Sequence, residues 1–161
     1  MRSRLFALGA LGSIGLGSLG LAGLTLIFRA HLVLAESEAI GKRQEILGSF
    51  GKAVKEPGAM LRHEAAFDLA VVQAALKTVA DGAPKLKSLF PDDSKTGAFT
   101  EALPVIWEKK DAFLQIVDQL AASAAAAKTA IKDEATFRSE WGKVSSNCRA
   151  CHKVYRVLPK S

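Results

Sequence analysis

With 161 residues, 22 Lys+Arg against 16 Asp+Glu and a formal net charge of +6, the chain has room for one domain and carries no dense basic arm for nucleic acid. Hydrophobic residues at 49% with 24% charged exclude a disordered chain, and two cysteines exclude a disulfide-rich scaffold, so an apolar core must carry the stability. Five prolines and one tyrosine, among long Ala, Leu, Lys and Glu stretches, argue against an all-β fold.

The N-terminus is a separate object. Arg2 and Arg4 precede an uncharged run from Leu5 to Phe28, which Arg29 closes. As a helix those residues would extend about 36 Å, against about 30 Å of bilayer hydrocarbon. Six of the 13 glycines lie in the run and lower its helix propensity. A cleavable signal would end at Val33-Leu34-Ala35, although its apolar region is longer than such signals use. An uncleaved anchor explains the length and puts the same arginines on the cytoplasmic side. Both readings stand, and either exports the remainder. Residues 1–35 are therefore read as signal peptide or membrane anchor and residues 36–161 as a periplasmic domain, tied to the inner membrane by residues 5–28 if the segment is retained.

From Glu36 onward the pattern is helical. Ile40, Leu47, Phe50 and Val54 recur on one face around Arg43-Gln44, and Pro57-Gly58 is expected to kink or end that helix. Phe67, Val71, Val72, Ala75, Leu76 and Val79 form a second stripe that should close near Asp81-Gly82-Ala83-Pro84. Pro91 to Gly97 reads as a loop. A third helix is expected from Pro104, keeping Ile106, Phe113, Ile116, Val117 and Leu120 together and running through the alanine tract Ala121–Ala127. Asp133 can cap a fourth, in which Phe137, Trp141 and Val144 lead to the cysteines. No period-2 alternation competes. The expected fold is all-α, an antiparallel up-down four-helix bundle preceded by the N-terminal signal or anchor helix.

The chemistry lies at the end of the fourth helix, in Cys148-Arg149-Ala150-Cys151-His152. C-x-x-C-H is the signature of covalent haem attachment. On a helix these positions share a face, so both thiols can add to vinyl groups on one porphyrin edge while His152 is placed to bind the iron. A thioredoxin-like pair would need a βαβ setting, and a zinc site would need four ligands, with His31 and His63 far away in sequence. A structural cysteine pair would not require the histidine. One covalent haem c is the reading these residues favour.

Four patches give the chain a resemblance to the cytochrome c′ family, the class II c-type cytochromes, over about residues 36–161. The attachment motif followed by Tyr155-Arg156, Arg43-Gln44 with Leu47, Phe67-Asp68, and Glu101-Ala102-Leu103-Pro104-Val105-Ile106-Trp107 occur in the family's order. The resemblance implies Cys148 and Cys151 as thioether ligands and His152 as the axial metal ligand. It implies that Arg43, Gln44 and Glu101 line the haem, that Arg156 lies one turn beyond His152 beside the imidazole and a propionate, and that Leu47 stands where six-coordinate relatives carry methionine.

Met60, His63 and His31 are read as non-ligands, being too far along the chain from Leu47 or in the exported flank, and Trp107 and Trp141 as core. The resemblance therefore implies a five-coordinate haem that binds nitric oxide or carbon monoxide and can pass electrons, with no catalytic residues and no enzyme activity. A six-coordinate electron carrier and a haemless helical interaction protein are the alternatives. The expected partners are haem, a small gas, a redox protein and a second copy of the chain in a homodimer.

Overall fold

A computed structural model describes residues 38–96 and 100–157. The signal or anchor segment lies outside these residues. Among them, no helix is long and apolar enough to cross a membrane.

The chain folds as a four-helix bundle. Residues 38–53 form α1, followed by a short α2 (Lys55–Leu61), α3 (Leu69–Gly82), a one-turn α4 (Val105–Glu108), α5 (Lys110–Ala130) and α6 (Glu134–Tyr155). The four long helices are α1, α3, α5 and α6, and α5 packs against both α3 and α6. Their shared core takes Val72, Leu76 and Val79 from α3, Phe113 and Val117 from α5, and Phe137, Trp141, Val144 and Tyr155 from α6. Ala124 and Ala127, both buried, bring α5 close to its neighbours, so the alanine tract is an interface rather than a linker.

Local chemistry sets the starts of α3 and α6. The Asp68 carboxylate accepts from the amides of Ala70 at 2.8 Å and Val71 at 3.2 Å, occupying free donors of the first turn of α3. Asp133 and Thr136 make a reciprocal capping box at the start of α6, which then runs 22 residues without interruption into the C-x-x-C-H motif.

Two boundaries depart from expectation, and one falls where it was expected. Pro57-Gly58 does not end the first helix; the break falls earlier, at Val54, and Pro57 sits buried in the first turn of α2. A proline there has no amide to donate and would collide with the Ala53 carbonyl in a continuous helix, so the chain resets at the residue that makes Pro57 an early, donor-free position. The second helix closes at Gly82, where the turn residues place its end, and a 3₁₀ segment, Ala83–Ser88, follows it and buries Leu86. The third is two helices, divided at Lys109 with φ −125° and ψ 46°.

Candidate haem-binding site

Residues from α1, α3, α5, α6 and the segment 100–102 enclose a cavity of about 740 Å³. That volume lies within the range of cofactor pockets. All eight residues singled out in the sequence line it: Arg43, Gln44, Leu47, Glu101, Cys148, Cys151, His152 and Arg156. The rest of the wall is mainly hydrophobic, including Phe50, Val79, Leu86, Phe113, Val117, Leu120 and Trp141. Trp141, expected as core, is core and cavity wall at once.

The two cysteines are half-buried and free, and the uninterrupted ladder of α6 places them one turn apart with His152 next to the second. Burial pushes the Cys148 thiol above its ordinary pKa. Burial, and secondarily the neighbouring Cys148, pushes Cys151 up to about 11. Both groups are therefore neutral thiols at pH 7. Burial lowers the pKa of His152, the Arg156 cation lowers it further, and Glu101 opposes them. Its imidazole is neutral, and a neutral imidazole has the lone pair a metal needs. Two thiols and an imidazole on one helical face of a large apolar cavity fit haem c.

Arg43 is placed differently from expectation. It lines the cavity, but the residue is only 2% exposed and its guanidinium works on the loop that follows α3. It donates to the Leu89 carbonyl at 3.1 Å, to the Ser94 hydroxyl at 2.9 Å and carbonyl at 3.0 Å, and to the Thr100 hydroxyl at 3.1 Å. Its guanidinium carbon also lies 4.8 Å from the Phe90 ring centroid and 5.6 Å from that of Trp107. Burial lowers its pKa, though an arginine remains charged at neutral pH. Among the described residues this buried cation meets no carboxylate, and it is held by carbonyl and hydroxyl oxygens and two aromatic rings. Ser94 and Thr100 were not singled out in the sequence, because nothing local to a loop serine or threonine marks it as an arginine's partner.

Arg156 also corrects an expectation. It does not continue the α6 face beyond His152; it is the residue at which the chain leaves the helix, with φ −125° and ψ 141°. An isolated antiparallel bridge pairs it with Ala102, flanked by bonds from the Leu103 amide to the Tyr155 carbonyl at 3.0 Å and from the Val157 amide to the Glu101 carbonyl at 2.8 Å. Its Nε meets Glu101 Oε2 at 2.7 Å. The pair still lies beside His152, since both charges act on that imidazole.

Met60 is buried in the core and does not line the cavity. His63 stands at an exposed turn with φ 59°, its Nδ1 3.2 Å from Arg138 Nη2.

A bundle that turns C-x-x-C-H from its last helix into an apolar cavity defines a bundle-type c cytochrome. The cytochrome C′ family model matches residues 38–156. A cytochrome c′ of Rhodopseudomonas palustris is 46% identical over 136 residues, covering 84% of this chain and 92% of that protein. A cytochrome c-556 of the same organism is 29% identical over 135 residues, covering 81% and 91%. The solved structure of cytochrome c′ from Rhodopseudomonas palustris matches with a TM-score of 0.74 at 48% identity, over 76% of this chain and 98% of that one. This chain belongs to the cytochrome c′ family. It is a haem c protein of the kind that carries electrons or binds gases.

Proposed function

We propose that this chain is an exported periplasmic cytochrome that would hold one haem c by thioethers at Cys148 and Cys151, with His152 as its one protein ligand to iron, and that the iron so held would bind nitric oxide or carbon monoxide. The observation that carries this reading is the makeup of the cavity wall. Among the described residues that line it, His152 is the only imidazole and none is a methionine; α1 presents Leu47. A leucine has no lone pair to give iron.

The bound haem supplies an iron that can take a gas or an electron. The residues of the chain set the conditions around it. His152, neutral at pH 7, is available as a donor, and the Arg156–Glu101 pair beside it tunes its basicity. Leu47 and Phe50 present hydrocarbon and keep water and anions away. The alternative, a six-coordinate electron carrier, needs a second strong-field donor in this wall. A redox partner, a homodimer and retention of residues 5–28 as an inner-membrane anchor belong to the same proposal.

Leu47→Met tests the reading. The variant should turn a high-spin spectrum low-spin and lose carbon monoxide binding, because thioether sulfur binds haem iron. A spectrum and gas affinity unchanged by this substitution would show that Leu47 does not face the iron.

A further inference from the structure

Gly82, at the end of α3, is where α1 rests on α3. A Cβ built there would meet Phe50 Cε1 at 2.5 Å and Cζ at 2.8 Å, with Ile46 Cγ2 at 3.4 Å. Gly41, Gly48, Gly51 and Gly142 have nothing within 4 Å at the same position. The phenyl ring therefore lies against a bare Cα, in space that any other residue would fill.

The ring is also part of the cavity. Phe50 lies one turn beyond Leu47 on α1 and lines the cavity with it, while Val79 and Leu86 line it from either side of Gly82 in sequence. Phe50 is 8% exposed, so its ring is packed and has few places to go. Carbon atoms in contact lie about 3.5–4.0 Å apart, so a methyl at position 82 must displace the ring by about 1 Å or more. Ile46 stands on the flank, and the cavity is the open volume. The cavity, which the ring already lines, is the direction that offers it room.

The geometry points to Gly82 as a specificity-determining residue: by letting the Phe50 ring lie back against α3, it sets the size of ligand that the cavity would admit beside a bound haem. The inference rests on the gas-binding reading above. It assigns to a residue with no side chain the control of room in the cavity. Narrowing the room by one methyl should leave a diatomic little affected and penalise a bulkier ligand, since one methylene in an apolar pocket is worth about 10–200-fold.

The test is the ratio of carbon monoxide to n-butyl isocyanide affinity in the reduced holoprotein, for the unmodified chain, Gly82→Ala, Phe50→Leu and the double variant Gly82→Ala/Phe50→Leu. Gly82→Ala should weaken isocyanide binding by about tenfold or more and carbon monoxide by less than about threefold. The double variant should restore the ratio and the melting temperature together, because the smaller side chain makes room for the methyl. Should Gly82→Ala fail to fold, the ratio in Phe50→Leu against that in the double variant decides the matter: it should shift toward the isocyanide in the single variant and return in the double. An unchanged ratio in every variant overturns the inference alone. An unmodified protein that binds neither ligand overturns the gas-binding reading and the inference with it.

Discussion

Helices α6 and α1 both line the cavity, but α6 brings Cys148, Cys151 and His152 to it, whereas α1 brings Leu47 and Phe50 and turns its one buried charge, Arg43, toward a loop. On α6 the function lies in reactive groups, and an unbroken helix keeps them in register. On α1, in the function proposed above, it lies in the withholding of reactive groups. A motif can announce the first kind of site. The second becomes visible only when the fold shows which hydrocarbon side chains stand over the cavity.

The strongest way to break this comparison is to remove the reactive side. Replacing Cys148 and Cys151 together with alanine should make haem extractable by acid-acetone, and should lower the melting temperature because a bound haem would occupy much of the apolar cavity of about 740 Å³. Haem that stays covalently bound in that variant would overturn the assignment of α6.

Arg43→Met sharpens the other side. Removing the guanidinium strips partners from Ser94, Thr100 and the Leu89 carbonyl, and should cost about 2–4 kcal/mol in urea denaturation. Because those contacts hold the segment leading to Glu101, gas affinity should change as well. A loss below about 0.5 kcal/mol would mean that the loop does not depend on the clamp.

Leu47→Ala should cost less than a fully buried leucine would. Leu47 lines the cavity wall and lies outside the packed core cluster, so the penalty should fall at the low end of the usual range of about 2–5 kcal/mol. Carbon monoxide association should still speed up, read by flash photolysis. The smallest effect is expected at Glu101→Gln. Glu101 and Arg156 are both well exposed, and an exposed ion pair is worth about 0–1 kcal/mol, so the melting temperature should barely move.

Much of this architecture was legible in the amino-acid order, for physical reasons that also explain what was not. The start of α6 at Asp133 and the face that ends in Cys148, Cys151 and His152 follow from capping chemistry and helical period, which are local. Pro57 and Pro84 disturb the helices as prolines must. The sequence does not say whether the chain stops, resets at Val54 or tightens into a 3₁₀ turn, because packing decides that. Lys109 divides α4 from α5 although nothing in its own chemistry disfavours helix. The burial of Arg43 depends on Ser94 and Thr100, about 50 residues away, a contact that no periodicity encodes. Arg156 looked like the next turn of α6, and only its bridge to Ala102 turns it out of the helix. Tertiary contacts set these features.

The central claim, that α6 supplies one ligand and α1 none, is tested most directly by the absorption and magnetic circular dichroism spectra of the unmodified reduced protein at neutral pH. Five-coordinate, predominantly high-spin iron that turns low-spin on adding carbon monoxide is the predicted result. A low-spin, six-coordinate spectrum before any gas is added would contradict the account.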